Sequence, residues 1–271
     1  MDKLENKLED ILVAVANGSL PPASAAAELK RGEVRYLDSF AALDPGRRSR
    51  KGVPEIIYAA GKTPEQTAKI CAAMLGASEE RVIVSGASEE TEAALRRFLK
   101  DVPVKRLGRA IMAGFGEPSP SGGRVAAMSA GTSDMPVLEE AIAVASEMGV
   151  EIKSFHDVGV AGIHRLAAPL EEMNAFDPDC LIVAAGMEGA LPTVVSALVG
   201  VPVIGLPTST GYGLGGDGTA AILGMLQTCS PGLSVVNVDN GVGAGATAAL
   251  IANRAAKRDA AKRAAREEPP E

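Results

Sequence analysis

The sequence predicts an α/β protein: a three-layer parallel sheet preceded by a smaller α/β region at the amino terminus. Three observations point there. From residue 124 onward, five strand-like runs alternate with helix-like runs of ordinary length, the pattern of a parallel sheet covered on both faces. Ahead of them, helices and short strands mix without that rhythm. Between the two lies EPSPSGG, residues 117–123, a composition that makes turns and linkers. The predicted organisation is therefore a mixed α/β region over residues 1–120, a parallel α/β domain over 121–254 and a charged, frayed tail over 255–271.

Each element has its own signal. Leu4, Leu8, Ile11, Leu12 and Val15 share one helical face, and NGSLPP stops that helix. PASAAAELK predicts a second short helix. VRYLD and the basic GRRSRKG follow, then a strand in PEIIYAAG. In KTPEQ, Thr63 is placed to cap a helix with Pro64 at its first position, running to about Leu75. RVIVSG predicts a strand, SEETEAALRRFLK a capped helix and KRLGRAIMAG one further strand. Then come the strands GRVAAMSAG, VEIKSFHDVG, DCLIVAAG, VPVIGLPTS and LSVVNVDN. The helices PVLEEAIAVASEMG, GIHRLAAPLEEMNAF, ALPTVVSALVG and GTAAILGMLQTC lie between them, and a last helix starts near Ala244. In such sheets ligands bind outside the carboxyl ends of the strands.

Bulk properties exclude several classes. A net charge of −7 argues against a general nucleic-acid binder, and 3% aromatic residues without Trp leave no stacking platform for single strands. Cys71, Cys180 and Cys229 are odd in number, far apart and without metal-ligand spacing, which fits a reducing cytoplasm rather than a disulfide framework. MDKLENKLED has no apolar signal core, and the apolar run from Cys180 to Pro207 is too broken by Gly and Pro to span a membrane.

Candidate site residues fall at the strand ends. In AGTSDMPVLEEA, backbone N–H groups with the hydroxyls of Thr132 and Ser133 can hold a phosphate, or Ser133 or Asp134 can simply cap the helix. HDVGVAGIHRL carries both histidines with Asp157 and Arg165, a set for anion binding, proton transfer, metal binding (though not at the helical i, i+4 zinc spacing) or a structural role. In GMEGALP, Glu188 is either plainly exposed or poised as an acid/base beside Gly189. PTSTGYGLGGDG is a Gly-Ser-Thr loop without the lysine of a P-loop. Cys229 ends its helix beside SPG, upstream of a glycine burst; it is a packed core residue or a nucleophile.

Taken together, GTSDMPVLEEA, GMEGALP and VPVIGLPTS resemble the carboxylase domain of aminoimidazole ribonucleotide carboxylase/mutase. DVGVAGIHRL, PTSTGYG, MLQTCSPGLSVVNVDNGVGAG and the upstream GVPEIIYAAGKTPEQ are closer still to its relative, the LarB family. The resemblance runs from about Val34 to Arg254. The chain departs from the family pattern at VRYLDSFAALDPGRRSRKGVPE and at Val242, where an aromatic is expected.

The resemblance implies a flavodoxin-like sheet and a cytoplasmic homo-oligomer, often an octamer. It implies nicotinic acid adenine dinucleotide and carbon dioxide or bicarbonate as substrates, with no nucleic acid or membrane partner. The implied products are pyridinium-3,5-biscarboxylic acid mononucleotide, for the nickel-pincer nucleotide, and AMP. It makes Cys229 the nucleophile, with Glu188, or His164 with Asp157, moving the proton. Thr132, Ser133, Asp134, Gly189, Thr208, Ser209, Thr210, Gly211, Asp239 and Asn240 would bind substrate, and Arg165 or Lys62 would pair with a carboxylate or phosphate. Magnesium is expected on the diphosphate, with no organic cofactor and no dedicated metal ligands identified. The competing readings are an aminoimidazole ribonucleotide carboxylase or mutase, and a non-catalytic nucleotide-binding protein on the same fold.

Overall fold

The computed structural model describes residues 11–31, 34–77 and 81–267. Residues 11–16 are helical; the first part of the helix expected from Leu4 lies outside the described residues. Helix α1 (Pro22–Arg31) precedes a small antiparallel hairpin of β1 (Arg35–Leu37) and β2 (Ala41–Leu43), then the short basic helix α2 (Arg47–Lys51).

The N-terminal sheet has the order β3-β4-β6-β5, from β3 (Ile56–Tyr58), β4 (Arg81–Ser85), β5 (Val104–Leu107) and β6 (Ala110–Gly114). Helices α3 (Pro64–Ala77) and α4 (Glu89–Phe98) cover one face, burying Cys71, Met74 and Leu95 against Val82, Val84 and Ile111. Thr63 starts α3 through a reciprocal cap: Gln66 N donates to Thr63 Oγ1 at 3.1 Å and Thr63 N donates to Gln66 Oε1 at 3.0 Å. KRLGRAIMAG is not one strand but the β5–β6 hairpin, paired antiparallel from Val104↔Ala113 to Leu107↔Ala110. The turn needs Gly108 at φ +55, where a β-carbon would also lie 2.5 Å from Pro136 O.

The second sheet has the order β11-β10-β9-β7-β8 and every pairing in it is parallel. Its strands are β7 (Arg124–Ser129), β8 (Glu151–Phe155), β9 (Cys180–Ala185), β10 (Val203–Pro207) and β11 (Leu233–Val235). Alternate residues feed two cores. Val125, Ala127, Ile182, Ala184 and Leu206 face helices α5 (Met135–Glu147) and α9 (Gly241–Glu267). Ala126, Met128, Leu181 and Val183 face α6 (Ala167–Phe176), α7 (Ala190–Ser196) and α8 (Thr219–Leu226). Burial on both faces explains why these strands read as unbroken apolar runs. The free face of the N-terminal sheet also packs on α5, through Ile83, Ala110 and Met112. Arg81 of β4 donates to Glu147 at the end of α5, Nε to Oε2 at 2.7 Å. The layers therefore run helix, sheet, helix, sheet, helix.

Two boundaries differ from the sequence expectation. GIHRLAAPLEEMNAF opens as a 3-10 segment, Val160–Leu166, broken at Gly162, and becomes α-helical only at Ala167. Pro169 has no N–H to donate, so it fits the first turn of α6. The last helix starts at Gly241 rather than near Ala244 and continues to Glu267.

Candidate functional site

In the parallel sheet, three strand-end turns hold a non-glycine residue at positive φ: Asp157 after β8 (φ 56), Met187 after β9 (φ 45) and Asp239 after β11 (φ 58). Such backbone costs on the order of 1–3 kcal/mol each and persists where the surroundings impose it, commonly at functional edges. Two clefts open along this carboxyl edge.

The smaller, of about 260 Å³, is bounded by the turns after β7, β9 and β10 and includes Ser133, Asp134, Glu188 and Thr210. Asp134 is its organising group. The carboxylate is buried, with Oδ2 accepting from Gly131 N at 2.8 Å and Oδ1 from Thr208 Oγ1 at 2.6 Å and Thr210 Oγ1 at 2.8 Å. The side chain therefore caps its own turn and ties β7 to the loop after β10. Gly186 passes beside this cluster, and a β-carbon there would lie 2.5 Å from Thr210 Oγ1. Gly189 at φ +65 caps α7, its N–H donating to Gly186 O at 2.8 Å, and a β-carbon there would strike Ala221 O. A β-carbon on Gly211 would sit 3.0 Å from Met187 N. These glycines let four backbone segments converge and leave Glu188 exposed at the rim. Thr132 and Ser133 are also exposed, and their hydroxyls make no hydrogen bond among the described residues.

HDVGVAGIHRL reaches this cleft through Gly159, Val160 and Ala161. Its charged residues do not line it. Asp157 pairs with Arg165, Nη1 to Oδ2 at 2.8 Å, on the exposed side of the segment, and both histidines are exposed. His164 lines neither cleft, and Asp157 pairs with Arg165 rather than with His164. Lys62 lines neither cleft; its ammonium donates to the backbone carbonyl of Tyr58, itself a lining residue of the larger one, at 2.7 Å.

The larger cleft, about 430 Å³, lies between the N-terminal sheet and the ends of β10 and β11. Asp239 stands in it and accepts from Ser209, N at 2.9 Å and Oγ at 2.6 Å. Asn240 caps α9, Oδ1 accepting from Gly243 N at 2.7 Å. Thr208 and Thr210 donate to Asp134 in the smaller cleft while Ser209 donates to Asp239 in the larger, so the loop after β10 links the two. The sequence reading missed Arg109, Glu140 and Tyr58, which also line the larger cleft. Glu140 had a readable signal: it is a carboxylate on the apolar stripe of Val137, Ala141 and Val144.

Cys229 lines neither cleft. It is exposed in the connection that leaves α8 and enters β11 at the amino edge of the sheet, where Leu233 stands beside Val203. Both clefts open at the opposite, carboxyl edge. The other two thiols are buried, and desolvation pushes each up to about 12, so they are inert. Among the described residues no three His, Cys, Asp or Glu side chains gather as metal ligands. No helix among the described residues is long and apolar enough to cross a membrane.

Residues 35–114 match the family model described as the LarB/PurE-like N-terminal domain, and residues 124–268 match the one described as AIR carboxylase. An uncharacterized protein of Methanocaldococcus jannaschii is 40% identical over 253 residues, 90% of this chain and 96% of that one. The N5-carboxyaminoimidazole ribonucleotide mutase of Thermotoga maritima is 30% identical over 135 residues, 47% of this chain and 74% of that one. With a LarB-type domain leading into an AIR carboxylase domain, the chain belongs to the LarB/PurE-like family of carboxylase and mutase enzymes.

Proposed function

We propose that this enzyme carboxylates the pyridinium ring of nicotinic acid adenine dinucleotide at C5 and hydrolyses its phosphoanhydride. The products are pyridinium-3,5-biscarboxylic acid mononucleotide and AMP, the former a precursor of the nickel-pincer nucleotide. The observation that carries this is the LarB/PurE-like N-terminal domain joined to the AIR carboxylase domain in one chain.

The chemistry needs a reversible nucleophile, because a pyridinium ring is too electron-poor to attack carbon dioxide. A thiolate adds to a ring carbon next to C5, and the displaced π pair moves onto the ring nitrogen. The resulting enamine attacks carbon dioxide through C5, and the π electrons of carbon dioxide go to a carboxylate oxygen. A base removes the C5 proton, the C–H pair re-forms the ring double bond, and the C–S bond breaks to return the thiolate. Cys229 is the proposed thiolate and Glu188, exposed at the rim of the smaller cleft, the proposed base. Thr132 and Ser133, with hydroxyls unused by the protein, would take phosphate oxygens beside the start of α5. Magnesium carried on the diphosphate would offset its charge.

Cys229 stands at the edge of the sheet opposite Glu188, so this reading requires a second copy of the chain to supply the thiol, which accords with the expected homo-oligomer. The test is mass spectrometry of protein incubated with nicotinic acid adenine dinucleotide, bicarbonate and magnesium. AMP and the dicarboxylated mononucleotide should appear with the wild type and fail with Cys229→Ala. Unchanged substrate with the wild type would overturn the reading. The Thermotoga relative favours a second one, mutase chemistry on an aminoimidazole ribonucleotide, which predicts turnover of that compound without Cys229.

A further inference from the structure

We propose that Glu140 is a positioning residue: a buried carboxylate that holds the N-terminal sheet, helix α5 and the start of α9 at one spacing, and so sets the width of the larger cleft. The side chain is 2% exposed, and its Oε1 accepts from Ser85 Oγ at 2.9 Å and from Gly86 N at 3.1 Å, where β4 ends. On its other side, a β-carbon on Gly241 would stand 2.8 Å from Oε2 and 2.9 Å from the β-carbon of Glu140. The first residue of α9 is therefore seated directly against this side chain.

A second buried carboxylate, Glu147, lies about two helical turns further along the same face of α5. It takes Arg81 from the start of β4, Nε donating to Oε2 at 2.7 Å. β4 and α5 thus run in opposite directions with a polar contact at each end. The helix advances about 10 Å between the two glutamates and the strand about 13 Å between Arg81 and Ser85, a mismatch that the long arginine side chain takes up. The apolar contacts between these ends, through Ile83, Ala110 and Met112, are non-directional and fix no register by themselves. A carboxylate oxygen shared by a hydroxyl and a backbone N–H is directional and fixes one. The two ends also differ in place. Arg81 and Glu147 line neither cleft, whereas Ser85 and Glu140 line the larger. One end only fastens; the other fastens inside the site.

Two lining side chains depend on that inner end. The Tyr58 ring, from the neighbouring strand β3, packs on Gly86, where a β-carbon would lie 3.3 Å from Tyr58 Cε2. Arg109, on the β5–β6 turn, accepts from Ala87 N at 3.0 Å and donates its own N–H to Pro136 O at 3.3 Å, one turn ahead of Glu140 on α5. On the facing wall, Asp239 and Asn240 immediately precede Gly241. Loss of the Glu140 contacts frees the wall of Tyr58 and Arg109 to shift against the wall of Asp239. Glu140 needs no contact with reacting atoms to have this effect. The turnover used to read it is that of nicotinic acid adenine dinucleotide, and to that extent the role rests on the proposed function.

The experiment compares Glu140→Ala, Glu140→Gln and Glu147→Ala in the full chain, with thermal melting to show that each is folded. Both alanine variants should melt lower, because each leaves donors without their acceptor. Hydrogen exchange, read on peptides covering residues 84–87, should rise about tenfold or more in Glu140→Ala alone, since the amide of Glu140→Gln still accepts from Ser85 and Gly86. KM for the dinucleotide should rise about tenfold in Glu140→Ala with kcat changed less, and stay within about threefold of wild type in Glu140→Gln and Glu147→Ala. Ser85→Ala, which removes one donor from the same contact, replaces Glu140→Ala if that variant does not fold and should move both readings the same way. Wild-type exchange in folded Glu140→Ala, or equal rises in KM in the two alanine variants, would overturn the positioning role. If the wild type turns over no dinucleotide, the carboxylation reading falls, and the exchange comparison alone decides whether Glu140 holds the end of β4.

Discussion

Asp134 shows how a residue visible in a motif can have a role the motif does not state. GTSD pointed to a ligand loop or a helix cap; the side chain does cap its turn through Gly131 N and also fastens Thr208 and Thr210 around the cleft. Asp134→Ala leaves those donors without their acceptor, so urea unfolding should show a loss of roughly 2–3 kcal/mol. Asp134→Asn keeps an acceptor for the hydroxyls and should lose less; equal losses would contradict this account. The cysteines separate as cleanly. Cys71 and Cys180 are buried with thiols held near 12, while Cys229 is exposed. A thiol reagent should therefore label one site per native chain, at Cys229, and three after unfolding. Above pH 9 the unfolded chain releases the protons of the two buried thiols while the folded chain keeps them. Their stabilisation is thus complete below pH 9 and falls as pH rises toward 12, by about 1.4 kcal/mol per pH unit for each thiol. Cys71→Ala should remove its share of that slope in unfolding curves taken between pH 9 and 11. Residue types and positions were legible in the sequence here; the partners were not, because Asp134 and Thr208 are 74 positions apart.

The parallel-sheet elements were legible because burial on both faces writes itself as apolar runs, each followed by a helix of ordinary length. The β5–β6 hairpin was not, since its turn rests on one glycine inside a continuous strand-like run and is fixed by contact with α5. GVGAG follows the candidate nucleophile in the sequence, but its glycines serve helix packing: Gly241 and Gly245 are one turn apart on α9 and lie against the backbone of α5. β-Carbons there would stand 2.7 Å from Val137 O and 2.3 Å from Ala141 O. Two opposed terms decide what Gly245→Ala does. Helix propensity favours alanine by about 1 kcal/mol. Overlap with a rigid backbone oxygen costs roughly 1–3 kcal/mol and cannot be relieved by a side-chain rotation. The clash should win, and the variant should melt lower than wild type. A raised melting temperature would show that the two helices can separate without loss.

At the scale of the molecule, the parallel sheet stands between the proposed thiol and the proposed base. Cys229 precedes the amino end of β11, and Glu188 follows the carboxyl end of β9. The surface around them is unusually apolar: Leu223 and Leu226 of α8 are 59% and 63% exposed, Tyr212 79%, and Leu214 is fully exposed. Polar side chains would be the ordinary choice for an uncovered face, and a second copy of the chain would bury this one. The sequence could not reveal that separation, because spacing along the chain does not say which edge of a sheet a connection occupies. It follows that Cys229→Ala and Glu188→Gln should each be inactive alone yet complement one another. In a two-fold pair of unlike variants, one of the two shared sites keeps both the thiol and the carboxylate. Random exchange of subunits makes half of the pairs hybrid, so a mixed and re-equilibrated sample should recover about a quarter of wild-type turnover. If subunit exchange is verified by mass and turnover stays at the level of the separate variants, the thiol and the base act within one chain. The connection from residue 227 to 232 would then have to leave the amino edge before the ring could be attacked.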